Sequence, residues 1–348
     1  LREGGLHRID MDALTLQPYN AGRFLSPSIR TVFQDNQQNI WVSCNVGLHK
    51  LQFGNGEVYP HPGYMKDEVR CLYSDSRGRM WVSSRLGDIE IWEGDKRLGY
   101  LSPDGRVVER RVSFGSGVYA IYEDRSRNLW LGTRDEGLYR LSYRLPRQYA
   151  ITGHYKSDTH NMYSISGDAV YSILQDFKGR LWVGCYDSGL NLVEDPDAEN
   201  PYFLHENNRL GFHSKNTPQQ VRCLAETRDS VILVGTTKGF YTFDENFSTP
   251  ESIVFYSSMR QKDDQNSLGS NDIMGIEVTR SGDIYLAVFG GGLNKVLTKN
   301  LLSEEISFRS YMKRDGAYSD VAINLVEDES GYLWVQTERM LMRFDPQK

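Results

Sequence analysis

At 348 residues the chain has room for two average domains or for one large closed β fold. Its apolar content of 39 %, aromatic content of 12 % and 32 glycines favour many short strands joined by tight turns over helices. A net charge of −6 with interspersed signs excludes the basic stripe of a nucleic-acid-binding surface, and no apolar run approaches the roughly 20 residues needed to span a bilayer.

In chain order, the first strand-like segments are Gly5-Leu-His-Arg-Ile-Asp10 and Leu14-Thr-Leu-Gln-Pro-Tyr19. A longer unit then begins and recurs at intervals of roughly 40 to 50 residues, the period of propeller blades. Its clear copies run from Ile29-Arg-Thr-Val-Phe-Gln-Asp35 to Ile40-Trp-Val-Ser-Cys44, from Val69-Arg-Cys-Leu-Tyr-Ser-Asp75 to Met80-Trp-Val-Ser-Ser84, and from Val118-Tyr-Ala-Ile-Tyr-Glu-Asp124 to Leu129-Trp-Leu-Gly-Thr133. A fourth spans Val170 to Cys185, and two degenerate copies start at Val221 and Ile273. The seventh runs from Ala322-Ile-Asn-Leu-Val-Glu-Asp328 to Leu333-Trp-Val-Gln-Thr337.

One register is held by Trp41, Trp81, Trp130, Trp182, Leu233, Tyr285 and Trp334, which takes five of the six tryptophans. A large apolar residue repeated at one position reads as packing between neighbouring sheets rather than as a ligand platform. Each unit reads as a four-stranded antiparallel meander: a strand ending at Asp, a tight turn, the tryptophan strand, a Gly-Leu turn, a third strand and a weaker fourth. Such sheets cannot bury both faces alone, so the expected fold is an all-β, seven-bladed β-propeller over residues 1–348, with first strands starting near 29, 69, 118, 170, 221, 273 and 322. The last unit stops after Met340-Leu-Met-Arg-Phe344, so the strand near Leu14–Tyr19 is expected to complete the seventh blade. Gly5–Asp10 looks like the third strand of a preceding repeat and suggests another propeller upstream.

The pattern Val-x-x-Ile-x-x-Asp, a Gly turn, Leu-Trp-Val-Gly-Thr and Gly-Leu resembles the two-component regulator propeller repeat over nearly the whole chain. Lead-in loops such as Asn266-Ser-Leu-Gly-Ser-Asn271 and Tyr163-Ser-Ile-Ser-Gly-Asp168 resemble that family too. The resemblance implies the periplasmic part of a hybrid sensor histidine kinase, in which two propellers and a small β-sandwich detect oligosaccharides released from plant or host glycans. It also implies an adjacent propeller and β-sandwich in the same chain, a homodimer, and membrane contact only through segments outside these residues.

Function belongs on the face where first strands begin, because the loops there are long: Leu145 to Asp168, Asp195 to Gln220 and Tyr256 to Asp272. The residue just inside each first strand makes a ring at the channel mouth: Arg30, Arg70, Tyr119, Tyr171, Arg222, Met274 and Ile323. Guanidinium forks match carboxylate or sulfate and aromatic faces stack on pyranoses, so Arg30, Arg70, Tyr119, Tyr171 and Arg222 are candidate binders of an oligosaccharide, with an acidic sugar favoured. The plainer alternative pairs each arginine with an acid such as Glu68. Exits of the second strands add Asn45, Arg85, Arg134, Asp135, Tyr186, Asp187, Lys238 and Phe289, of which Arg134, Tyr186 and Phe289 best fit a small-ligand wall.

The reading calls for no catalytic residue, no cofactor and no metal. Two alternatives stand beside it. His154, His160, His205 and His213, in the two longest loops, or a carboxylate pair including Asp135 and Asp187, would serve a propeller lyase or glycoside hydrolase. A scaffold for dimerisation would bind no ligand. Cys44, Cys71, Cys185 and Cys223 fall at equivalent repeat positions and read as small core residues.

Overall fold

The computed structural model of the chain describes residues 5–10, 15–18, 29–44, 47–51, 58–60, 68–210, 217–317, 319–338 and 340–346; for 5–10, 15–18, 51 and 58–60 it describes the backbone alone. Seven sheets stand around an axis as a seven-bladed β-propeller. The first strands are Ile29–Gln34, Val69–Ser74, Val118–Glu123, Val170–Gln175, Val221–Glu226, Ile273–Val278 and Ala322–Glu327. Each touches the next, and the seventh touches the first, so the ring is closed. Among the described residues no helix is long and apolar enough to cross a membrane.

The repeated tryptophans do what their register requires. Trp81 packs with Val118, Leu129 and Leu131 of the following blade, Trp130 with Val170 and Val183, and Trp182 with Val221, Ile232 and Val234. Trp334 closes the circle against Ile29, Ile40 and Val42. Each indole Nε1 donates to the aspartate six residues earlier: Trp41 to Asp35 at 2.7 Å, Trp81 to Asp75 at 3.0 Å, Trp130 to Asp124 at 2.8 Å, Trp182 to Asp176 at 2.9 Å and Trp334 to Asp328 at 2.8 Å. The other oxygen of that aspartate accepts a backbone N–H of the tight turn, as Asp124 does from Asn128 at 2.8 Å. One carboxylate thus satisfies the turn and the buried indole together. Blades 5 and 6 manage without it: Thr227 and Thr279 take the aspartate's place, and Leu233 and Tyr285, both fully buried, fill the tryptophan's.

Further bonds stitch the blades at this lower end. The backbone N–H after the aspartate, or after the Thr279 that replaces it, donates to an acid or amide one blade on: Ser76 to Glu123 at 2.6 Å, Arg125 to Gln175 at 2.8 Å, Phe177 to Glu226 at 3.1 Å and Arg280 to Glu327 at 2.8 Å. Close approach also dictates glycine. A Cβ on Gly184 would lie 2.5 Å from Val221 Cγ1 in the next blade, so only glycine lets these sheets meet.

The blades are less uniform than the four-stranded expectation. Blade 4 keeps three strands, because after Gly189–Val193 the chain makes only the isolated bridge of Leu192 with Leu204. Blade 2 gains a fifth short strand, Val107–Val108. N-terminal residues do close blade 7, but in a different order from the one expected. Gly5–Asp10 runs parallel to Met340–Phe344, and Thr15–Pro18 lies outside it as a fifth strand. These two N-terminal strands form an antiparallel hairpin, so they join the open edge as a pair and the inner place goes to Gly5–Asp10. The expected long loop after Leu145 is also shorter, since Gln148–Tyr155 is the fourth strand of blade 3.

Candidate functional site

In all seven blades the pairing between first and second strands slips at the second residue of the first strand. Val69 pairs with Ser84 and Cys71 with Ser83, leaving Arg70 between them; Val118 and Ala120 likewise bracket Tyr119, and Val170 and Ser172 bracket Tyr171. Arg30, Arg222, Met274 and Ile323 occupy the same bulge in the other blades. A bulged residue leaves the ladder and its side chain is re-aimed, so the position predicted to ring the mouth is the one the backbone turns aside. A second repeated bond brings the second-strand exit alongside. The backbone N–H of Arg85 donates to Glu68 O at 2.8 Å, that of Arg134 to Gly117 O at 3.0 Å, that of Tyr186 to Ala169 O at 2.8 Å and that of Phe289 to Asp272 O at 2.9 Å.

Side chains from four blades join here in one ladder. Tyr119 stacks on Tyr171 with centroids 4.8 Å apart, and Tyr171 stacks on Tyr186 at 4.9 Å. The Arg70 guanidinium lies 5.5 Å over the outer face of Tyr119, and that of Arg222 lies 5.0 Å over Tyr186. Both faces of Tyr171 are therefore covered, and a ligand at this stack meets ring edges and hydroxyls rather than the faces expected to hold a pyranose. Burial, then the neighbouring Tyr119 and Tyr186, push the Tyr171 phenol above its ordinary pKa, against the opposing pull of Arg134 and Arg222. It stays a neutral donor and acceptor.

Each end of the ladder is held by an acid that precedes a first strand. Glu68 receives Arg70 at 2.7 Å, Arg30 at 3.4 Å and Arg85 at 3.5 Å, so three guanidiniums share one carboxylate. The Nε of Arg70 is buried without a hydrogen-bond partner. Asp272 takes Arg222 in a bidentate pair at 2.8 and 3.2 Å, which leaves no charge surplus at that end. In both cases an arginine at the bulge of one blade meets the acid just before the first strand of the next. Sequence reasoning named Glu68 only as a neutralising partner and missed Asp272; the recoverable signal was an acid immediately before one strand with an arginine one repeat earlier. Arg134 is exposed and makes no ion pair among the described residues. Phe289, 44 % exposed, touches the group through its backbone bond to Asp272. Asn45 lies outside the described residues.

The family model described as the two component regulator propeller matches residues 63–85, 113–135 and 164–187, each of which carries a lead-in and the first two strands of a blade. Three of the seven blades therefore carry two-component regulator propeller repeats. Among solved structures, one described as the extracellular domain of a hybrid two component system from B. thetaiotaomicron is similar at 19 % identity and a TM-score of 0.70, covering 93 % of this chain and 39 % of that one. The chain thus spans well under half of that relative's length. A streptogramin B lyase is similar at 13 % identity and a TM-score of 0.61, covering 92 % and 94 %, and virginiamycin B lyase from Staphylococcus aureus at 10 % and 0.60, covering 90 % and 92 %. At these identities the likeness is one of fold. No curated protein sequence gives a significant match.

The residues considered for catalysis have separate local partners among the described residues. His154 sits in the outer strand of blade 3, its ring stacked on Tyr139 at 3.9 Å and one ring nitrogen 2.8 Å from Glu136 O. His205 is buried, which pushes its pKa down, and His160 is exposed beside Asp158 at 3.4 Å. His213 lies outside the described residues. Asp135 accepts from the Ser116 hydroxyl and Asp187 from Ser188. Among the described residues no three His, Cys, Asp or Glu side chains are placed to share a metal ion. Burial pushes the Cys71, Cys185 and Cys223 thiols up to about 12, which suppresses the thiolate.

Proposed function

We propose that this propeller is a non-catalytic ligand sensor from the extracytoplasmic, periplasmic part of a hybrid two-component protein, and that it recognises a glycan-derived oligosaccharide carrying a carboxylate or sulfate. The observation that carries this reading is the cluster at blades 1 and 2, where three guanidiniums converge on the single carboxylate of Glu68. An anionic sugar group placed there meets two uncompensated positive charges. Arg30, Arg70 and Arg85 hold the anion, Tyr119, Tyr171 and Tyr186 offer hydroxyls along the mouth, and Arg134 and Arg222 extend the contact toward blades 3 to 5.

Binding shifts a signalling equilibrium only if the ligand prefers one arrangement of the sensor. In the intact protein that preference acts between this propeller, its neighbouring propeller and β-sandwich, and a second copy in a homodimer, and passes to a kinase across the membrane.

The test is calorimetric titration of the chain with acidic and neutral oligosaccharides, with product analysis of each mixture. Binding of acidic members without turnover, weakened roughly tenfold or more by combined Arg30→Gln, Arg70→Gln and Arg85→Gln changes, is the expected result. Turnover of any substrate would overturn the sensor reading, and unchanged affinity in the triple variant would move the site elsewhere.

A further inference from the structure

A second site lies away from the axis, on the outer strands of blades 5 and 6. A cavity of about 330 Å³ opens between the loop that leaves Tyr256–Ser258 and the segment 304–307 that leads into Phe308–Tyr311. Its size falls within the range of small-ligand pockets. Its walls are pinned from within. Ser267 Oγ donates to Asp264 O at 2.8 Å and accepts from Gln261 N at 2.9 Å, and Phe308 N donates across the cleft to Asn266 O at 2.7 Å. The cleft is therefore a property of the folded blades rather than of a loose loop.

The chemistry of the walls is one-sided. Asp264, Glu304 and Glu305 line the cavity, and among the described residues none of the three forms an ion pair and no lysine or arginine lines it. Amide side chains of Gln261 and Asn266 stand beside them. Ser258, also in the wall, is only 6 % exposed and its Oγ has no hydrogen-bond partner. A cleft lined by charge of one sign concentrates counter-ions, and hydroxyl and amide groups at fixed positions select a partner rich in hydroxyls. We infer that this cavity binds a sugar bearing a free amine, whose ammonium meets the three carboxylates while its hydroxyls pair with the amides of Gln261 and Asn266. The inference is independent of the channel mouth: the charge at the two places is opposite, and they sit on inner and outer strands.

The probes are glucosamine and glucose, which differ only in carrying an ammonium or a hydroxyl at C2, titrated into the chain at low and physiological salt. Glucosamine should bind roughly tenfold more tightly or better, with the preference shrinking as salt rises. The combined Asp264→Asn, Glu304→Gln and Glu305→Gln variant should lose that preference, and the Arg30, Arg70 and Arg85 triple variant should keep it. Equal binding of the two sugars, absence of saturable glucosamine binding, or a preference that survives removal of the three carboxylates would overturn the inference. The wild-type comparison decides even if the triple carboxylate variant does not fold. The mouth reading stands or falls separately on its own arginine variants.

Discussion

The two ends of the first strand in each blade obey different rules. At the lower end the chemistry barely varies: in five blades an aspartate caps a turn and holds an indole, and where the aspartate is missing a threonine and another bulky apolar residue replace the pair. At the upper end the backbone repeats the same bulge seven times, yet the side chain on it changes from arginine to tyrosine to methionine or isoleucine. The lower end spends its side chains on joining blades. The upper end repeats only the geometry and leaves the side chain free to be chosen, as expected where a repeat fold carries a binding surface on a rigid frame.

The largest expected effect tests the lower end. Trp130→Ala removes a fully buried indole from between blades 3 and 4 and orphans the Asp124 oxygen that accepts from it, so denaturant unfolding should show a loss of about 3–5 kcal/mol. A smaller loss, under about 1 kcal/mol, would mean that the repeated register is not what holds the blades together.

The next effect is in pH. Burial pushes Glu277, near the lower end of the blade 6 first strand, up to about 7, with the Glu327 charge adding to the rise and the Glu327 N–H and Arg280 opposing it. Its folded-state pKa lies above the ordinary carboxylate value, so the folded protein keeps a proton that the unfolded chain has released. Stability is therefore full below about pH 4.5 and falls as pH rises toward 7, with no further loss from this group above that. Glu226, pushed up to about 8 by burial and by Glu245, slopes the same way. Glu277→Gln keeps an oxygen for the Glu327 N–H and removes the charge. Its stability relative to wild type should improve by about 1–2 kcal/mol between pH 4.5 and pH 8, read from unfolding curves at both. A difference that does not change with pH would show that the buried carboxyl is not responsible.

The smallest effect on stability belongs to the upper end and sharpens the contrast most. Arg70→Gln should leave the unfolding free energy within about 0.5 kcal/mol of wild type, because Arg70 is partly exposed and Glu68 retains Arg30 and Arg85. A loss comparable to that of Trp130→Ala would place the mouth among the structural joints instead.

Much of this was legible in the sequence because the relevant interactions are local. An aspartate and a tryptophan six residues apart across one tight turn meet in any antiparallel hairpin of that length, so their recurrence announces both the strands and the lock. The bulged position was readable for the same reason, as the second residue of a strand whose start is marked by its valine or isoleucine. What the histidines do was not readable: His154 was counted in a loop, but Gln148–Tyr155 alternates well enough to pair with Leu138–Leu145, and its ring stacks on Tyr139.

By itself, then, the sequence determined the seven-fold repeat, the indole lock and the identity of the side chains that ring the mouth, since each depends on residues within one turn of one another or on simple counting. Only the tertiary structure decided that Arg30 and Arg70 share Glu68, that Arg222 is claimed by Asp272, that three tyrosines stack face to face, and that three carboxylates gather at the rim of blades 5 and 6. Those contacts join different strands and mostly different blades: the ones at the mouth exist because closure of the ring brings the start of each first strand beside its neighbours, and the rim cluster because the loop after the outer strand of blade 5 meets the segment leading into the outer strand of blade 6.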